Sequence, residues 1–554
     1  VDSYSADAVK LYLLNSPIVK GESLKFSEIG VKNVIKDVFL PWFNAYRFLI
    51  ENIKRYEEKS GTNFVFDPKL RHEATNILDK WIIAANQTLL KFFREELDNY
   101  RLYTIINQLL SFLVDLNKWY IKLNRQRMKG ASGSEEARMS LNTLFDVLFS
   151  TTLMMSCFTP FISEYLYLNL RNGFEDGNEL KKESIHFLRI PQADETLLDD
   201  AIIHKVGHMK KIIEMTRSAR DHINIPIKKP IKTALLVNSN PDFAESIDIF
   251  GDYIKEEINA YELQVETNEN KFVNYSCDYN QKALGPRMKG QFEKELEVKI
   301  KDVSEKDLKK FKKEFKKEFN KNFLDKLGSL TSDNIKEYML TNKLTVEGIE
   351  LIEGDLTPTK KLREEYEKHA TFAGITSGEY CVLIDKTIDD KIEMSYISRE
   401  FLGKIQKLRK EAGLKLDADI EIFYLAETEF LGKALDHHLE EIKKSVMKPL
   451  ISGKLKPASY PEITNTEFTL GKEKGQIWIC SPSVSFQKNK LAAKHSNPAI
   501  VEGIEKLFET LGVEYLKATT EANQGVVRTR LDGVDVELTL GEDFHFGGFK
   551  NYTF

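Results

Sequence analysis

The chain has 554 residues, 42% hydrophobic and 30% charged, a globular composition too long for one core and expected to divide into about three or four domains. No apolar run approaches the ~20 residues that a membrane-crossing helix needs, so a membrane role is not expected. The formal charge of −5 at pH 7 excludes a generally basic coat, and any contact with nucleic acid must come from local stripes of cations.

Four cysteines, Cys157, Cys277, Cys381 and Cys480, lie far apart with no Cys-x-x-Cys spacing. They indicate neither zinc nor a disulfide framework and suit a reducing, cytoplasmic compartment. The chain opens on Val1, and Ser5 to Leu14 already reads as a structured element with no signal or transit character. It is read as a fragment of a longer protein.

From Glu28 to about Leu170 the apolar residues keep helical period, and four or five long helices are expected. Val31, Ile35, Val38, Trp42, Tyr46, Leu49 and Ile53 form the first stripe; Pro41 either kinks that helix or starts a second. Ser60-Gly61-Thr62-Asn63 ends it. Glu73 to Asn99 gives the next helix, with Trp81 facing inward like Trp42. Tyr100 to Lys129 gives a third, Gly130 to Ser134 is a joint, and Glu135 to Leu170 follows with a break at Thr159-Pro160.

The Tyr100–Lys129 helix carries positive charge on a definite face. Lys118, Lys122, Arg125 and Lys129 recur at i, i+4, i+7 and i+11 and are expected in one row, opposite Leu109, Phe112, Leu116, Tyr120 and Leu123. Asp115 is the only acid between 100 and 130 that could offset them. The row reads either as a solvated lysine face or as a grip for RNA.

After Ile185 the texture becomes mixed α/β. A helix from about Glu195 to Asp221 leads through Asn224–Pro230 into a strand at Ile231–Val237. Further expected elements are a hairpin around Val346–Leu351, a strand at Tyr380–Asp385, a helix at Tyr396–Ala412 and a strand at Ile420–Leu425. The last unit holds a strand at Gln476–Cys480, a helix at Pro498–Leu511 and a hairpin turning at Asp532-Gly533. No tandem repeat of helical or solenoid period is visible. Between Lys301 and Lys326 ten lysines face six acids around a stripe of Leu308, Phe311, Phe315, Phe319 and Phe323. The stripe is expected to be a core face, with the lysines either solvating the rest or forming a second cationic surface.

The expected fold is therefore multidomain, an all-α helix bundle followed by mixed α/β domains. Its boundaries are a connecting segment at 1–27, the bundle at 28–190, a first α/β domain at 191–300, the Lys/Phe-rich helical insertion at 301–330, a second α/β domain at 331–450 and a small α/β tail at 451–554.

Several segments, in order, resemble the region after the catalytic core of class I aminoacyl-tRNA synthetases. These are Asp2 to Pro17, Asp79-Lys80-Trp81-Ile82, Tyr100-Arg101-Leu102-Tyr103 and Trp119 to Gly130. Arg217-Ser218-Ala219-Arg220-Asp221 with Pro226-Ile227-Lys228, Ala283 to Gly290 and Ile405 to Lys410 are similar to the carboxy-terminal region of the eukaryotic cytosolic isoleucyl branch. The resemblance covers residues 1 to about 425. It implies that the bundle is an anticodon-binding domain and that the partner is tRNA(Ile). Other proteins of a synthetase complex stand as further candidate partners.

The resemblance also implies what this chain lacks. Class I synthetases use ATP and Mg with a His-x-Gly-His turn and a Lys-Met-Ser-Lys loop, whose charges stabilise the phosphate transition state. Neither motif is present, and His204-Lys205-Val206-Gly207-His208 has one residue too many and lies in a helix. No catalytic residue, metal site or cofactor is expected here, and the fragment alone should not form the adenylate.

Anticodon bases are unpaired and can be stacked on aromatics and read at their edges. Trp119, Asn124, Arg125 and Arg127 are expected at base or loop contacts, and Lys118, Lys122 and Lys129 at phosphates; Trp119 lies between the apolar and basic stripes, so core packing is expected of it at least as much as stacking. Arg217, Arg220, Arg287 and Lys289 are second candidates that could equally form surface salt bridges. Valyl or leucyl specificity, or a non-enzymatic module that binds proteins, are the alternatives.

Overall fold

The computed structural model describes residues 3–299, 308–378, 380–414, 418, 420–448, 450–456, 462–481, 484–486, 488–495, 497–511, 513–540 and 542–546. Two compact units result, one of residues 1–213 with 239–254 and one of 214–238 with 255–554. Among the described residues no helix is long and apolar enough to cross a membrane.

The first unit is helical: α1 (Ala6–Leu14), α2 (Glu28–Val34), α3 (Leu40–Ser60), α4 (Ile77–Asp98), α5 (Leu102–Asp115), α6 (Arg125–Met128), α7 (Ser134–Met155) and α8 (Pro160–Leu170). The first parts of α9 (Asp200–His222) and α10 (Pro241–Ile258) belong to it. A π-turn over Ile35–Phe39 joins α2 to α3 without leaving helical dihedrals, and Pro41 stands in the first turn beyond it. Pro41 thus lies within a continuous helical run from Glu28 to Ser60 and does not start a helix of its own. Gly61, at φ 69°, closes α3 in the left-handed conformation that a side chain would strain. Trp42 and Trp81 are both in the core, as their stripes predict.

The second unit contains two sheets of one design. After α9 come β1 (Ile231–Val237), α10 and β2 (Ala260–Glu266). An insertion follows: β3 (Val273–Tyr279), α11 (Gln281–Lys299), α12 (Leu308–Gly328), α13 (Ser332–Thr341), β4 (Lys343–Val346), β5 (Ile349–Ile352), β6 (Leu356–Leu362) and α14 (Glu364–Glu367). Then β7 (Phe372–Ser377) and β8 (Tyr380–Asp385) complete a sheet of order β2-β1-β8-β7, with β1 parallel to β2 and antiparallel to β8. The chain continues through α15 (Asp390–Glu411), β9 (Glu421–Ala426), α16 (Glu429–His437), α17 (Leu439–Val446), β10 (Leu450–Ser452), β11 (Glu462–Leu470) and β12 (Glu473–Cys480). Its sheet runs β10-β9-β12-β11, again parallel between the first two strands and antiparallel beside them. Each module is a long helix, a strand, a helical crossover, a parallel strand and a hairpin.

The two modules also share a latch. Arg220, third from the end of α9, donates to the carbonyl of Ile258, the last residue of α10, at 3.2 Å. Arg409, third from the end of α15, donates to the carbonyl of Val446, the last residue of α17, at 2.9 Å. The carbonyl of each arginine accepts the amide five residues on, from Ile225 at 3.0 Å and from Leu414 at 2.9 Å. Between them Asn224 and Gly413 are left-handed, and so are Asn259 and Met447 just past the crossovers. At the same spacing Ile212 matches Phe401, Thr216 matches Ile405 and Ala219 matches Leu408, all buried. A repeat is present after all, carried by topology and too far apart for a short period to reveal.

In the insertion, Phe319 and Phe323 of α12 pack with Leu284, Tyr338, Ile349 and Leu351, and Phe315 is buried as well. The phenylalanine stripe is a core face. Residues 301–307 of the Lys301–Lys326 segment lie outside the described residues. The strands of the β4–β5 hairpin meet at Glu347 and Gly348, both with positive φ, as a two-residue turn requires.

The tail comprises β13 (Val484–Phe486), α18 (Lys488–Lys494), α19 (Pro498–Leu511), α20 (Val513–Ala522), β14 (Val526–Leu531), β15 (Val534–Thr539) and β16 (Phe544–Phe546). Its β14–β15 hairpin turns at Asp532-Gly533 with the same backbone sign.

Candidate nucleic-acid interface

The helix expected from Tyr100 to Lys129 is three pieces: α5, a π-turn over Leu116–Ile121, and α6 after a break at Asn124. The extra residue in a π-turn rotates everything beyond it. Trp119, Tyr120 and Ile121 of this turn are buried in succession. Lys118 and Lys122 stand outside on the first rod, and Arg125 and Lys129 belong to the second element. The single straight row becomes two short cationic segments.

Several named side chains are committed inside the protein. Trp119 is 2% exposed, its ring closed off in the bundle core. Asn124 is buried, its Nδ2 donating to the Tyr120 carbonyl at 3.0 Å to hold the break between the rods. Arg127 forks onto Asp79 at 2.9 and 2.7 Å and reaches Glu136 at 2.5 Å. Tyr120 donates to the same Asp79 at 2.6 Å. Burial alone would lower the Arg127 pKa, but the hydrogen bonds and charge of Asp79 raise it. Trp119, Asn124 and Arg127 are thus engaged within the bundle.

The second candidates divide similarly. Arg217 pairs with Glu257, whose side chain is almost wholly buried. Arg220, 1% exposed, also donates to the carbonyls of Pro226 at 2.9 Å, Ile227 at 3.3 Å and Lys229, and burial lowers its pKa to about 10. Arg287 forks onto the buried Asp355, one branch at 2.6 Å, and donates to the Glu350 carbonyl at 3.2 Å, tying α11 to the β4–β5 hairpin. Only Lys289 is exposed, 3.9 Å from Glu293 one turn on.

What remains at the surface converges on a corner that sequence spacing could not reveal. Arg55 and Lys59, exposed near the end of α3, face Arg125 and Lys129. Burial lowers the Lys129 pKa, and the neighbouring charges of Arg125 and Arg55 lower it further. Lys59 Nζ approaches the turn at Gly130 within 4.0 Å of where a Cβ would stand. Arg125 lies over the Phe48 ring, its guanidinium carbon 5.6 Å from the centroid and within cation–π range. Asp115, the acid expected to offset the row, is occupied by Lys210 at 2.6 Å. Among the described residues no carboxylate forms an ion pair with Arg55, Lys59, Arg125 or Lys129. Like charges gathered without acids suit a polyanion. Arg55 and Lys59 were hidden because Glu57 and Glu58 neutralise their stretch of sequence; their i, i+4 spacing was the one available signal.

The decoy His204–His208 lies within α9, with His208 buried. Among the described residues no group of three His, Cys, Asp or Glu side chains is placed to hold a metal.

Residues 79–235 match the family described as the anticodon-binding domain of tRNA ligase, a span that takes in Lys118 to Lys129 and begins beyond Arg55 and Lys59. Three curated relatives extend the likeness along most of the chain. The isoleucine–tRNA ligase of Tetrahymena thermophila is 34% identical over 86% of this chain and 42% of its own length. The cytoplasmic isoleucine–tRNA ligase of Schizosaccharomyces pombe is 34% identical over 81% and 40%, and that of Mus musculus 35% identical over 81% and 34%. The chain spans less than half the length of these relatives. With an α-rich region that matches anticodon-binding domains and this continuous identity, the chain is similar over most of its own length to isoleucine–tRNA ligases.

Proposed function

We propose that this chain is the tRNA-binding, carboxy-terminal part of an enzyme that charges tRNA(Ile) with isoleucine at the expense of ATP in the cytoplasm. The observation that carries the reading is the corner of Arg55, Lys59, Arg125 and Lys129, four cations with no ion-paired carboxylate among the described residues, inside a bundle that matches anticodon-binding domains. Lys118 and Lys122 are exposed on the preceding rod. These groups hold the phosphates of the anticodon arm, and the guanidinium of Arg125, over Phe48, offers a flat cation on which an unpaired base can lie.

ATP and Mg are not fitted by the residues present. The chain has no His-x-Gly-His turn and no Lys-Met-Ser-Lys loop, so no step of adenylate formation is assigned to it. Its contribution is recognition at a distance from the bond-forming site.

Titration of labelled tRNA(Ile) at several salt concentrations, beside a transcript with an altered anticodon, tests the reading. Affinity should fall with salt, because counterions released from the phosphates gain less entropy as the bulk salt rises. The altered transcript should bind more weakly. Lys122→Ala with Arg125→Ala should weaken binding at least tenfold while the circular dichroism spectrum and melting temperature hold. Unchanged affinity in a folded double variant overturns the assignment of this face to RNA.

A further inference from the structure

We infer that α12 is a second, sequence-independent grip for RNA backbone, separate from the anticodon-reading corner; this rests on the reading that the chain binds tRNA. The helix holds eight lysines against three acids, five unbalanced positive charges in a chain whose formal net charge is −5.

Its two faces are distinct. Phe315, Phe319, Phe323 and Leu327 are turned into the core of the insertion, so the orientation of the helix is set by packing. Lys310, Lys313, Lys317 and Lys321 recur at i, i+3, i+7 and i+11, all exposed and away from that apolar face. Among the described residues none of the four has a carboxylate within ion-pair distance. At about 1.5 Å rise per residue, successive members stand roughly 4.5–6 Å apart along the axis. That spacing can follow consecutive phosphates of one strand.

The chemistry favours backbone over base. Ammonium groups on flexible stems act as point charges, without the planar fork that reads a base edge or clasps a carboxylate. The buried rings lie on the far side, and no exposed aromatic interrupts the lysine row to stack a base. The partner that fits is the sugar-phosphate backbone of RNA, held for affinity instead of specificity. The corner in the bundle differs, because Arg125 there lies against an aromatic ring.

The test replaces Lys310, Lys313, Lys317 and Lys321 together by Gln in the 554-residue chain and measures tRNA affinity against salt. The slope of log K on log salt should shrink by roughly 3 units, about 0.7–0.9 for each phosphate contact removed. The preference for tRNA(Ile) over the anticodon-altered transcript should stay as it was, and so should the melting temperature, since the apolar face is untouched. An unchanged slope in the folded variant overturns the inference, and so does a loss of anticodon preference, which would make the helix part of the reading site. Binding to an acidic protein in place of RNA would overturn it too. The Lys122/Arg125 variant keeps the two readings apart: if it loses tRNA binding while the Gln variant does not, the anticodon reading stands and this one falls.

Discussion

The corner at the end of α3 and the paired α/β modules both concentrate arginine, and they spend it in opposite ways. In the modules, Arg220 and Arg409 are buried and aimed at the closing carbonyls of crossover helices. At the corner, Arg55 and Arg125 are exposed beside Lys129, with no acid paired to them among the described residues. Arg125 and Arg127 bring the contrast within two positions of one turn: the first lies over Phe48, the second forks onto Asp79. Residue type and nearness in sequence therefore say little about which arginine meets a ligand. The partner that burial leaves to each guanidinium decides it.

The sharpest way to break this contrast is Arg127→Ala. Asp79 is 0% exposed and would be left as a buried charge facing only the Tyr120 hydroxyl and its surroundings. Removing one member of such a pair costs about 3–5 kcal/mol, so chemical denaturation should show the first unit losing a large part of its stability. RNA binding should fail only as the bundle unfolds. A stable Arg127→Ala chain that no longer binds RNA would move Arg127 from the bundle to the interface.

The latches come next in size. Arg220→Met or Arg409→Met keeps the apolar stem and removes charge-assisted bonds to buried carbonyls, at about 1–3 kcal/mol each. The two modules should soften separately, read by hydrogen exchange at the amides of β1 and β9. If Arg409→Met proves neutral while Arg220→Met does not, the modules share a topology without sharing a latch.

This duplication also marks how far the sequence could be read. Strands Ile231–Val237 and Tyr380–Asp385 and the helix Pro498–Leu511 are found at the residues their patterns predict, because alternation, Pro spacing and a Gly-rich turn are local signals. The shared design of the modules was not local. Arg409 follows Arg220 by 189 residues, and the insertion from β3 to α14 separates the halves of the first sheet. The π-turn at Leu116–Ile121 was hidden for another reason: an added residue within a helix leaves composition and hydrophobicity unchanged. The expected row is split a little further on, where the helix breaks at Asn124 between Lys122 and Arg125. Lys118, Lys122 and Arg125 were legible as surface cations, whereas Arg55 and Lys59 depended on α3 folding back beside α6, a tertiary fact.

The smallest effect concerns Lys129, and it tests whether the corner is truly uncompensated. Burial and the charges of Arg125 and Arg55 lower its pKa in the folded chain. Between that lowered value and the ordinary lysine value, the unfolded state binds more protons than the folded one, so this group's contribution to stability rises with pH across the alkaline window. Affinity for RNA should move the other way, since Lys129 sheds its charge as pH rises through the folded value. Lys129→Arg keeps the charge throughout. The ratio of variant to parent affinity, which cancels the ionisation of the RNA bases, should therefore climb with alkaline pH by a few fold at most. A flat ratio would mean that Lys129 is as readily charged as a solvated lysine, and the crowding of like charges that distinguishes this corner from the latches would be lost with it.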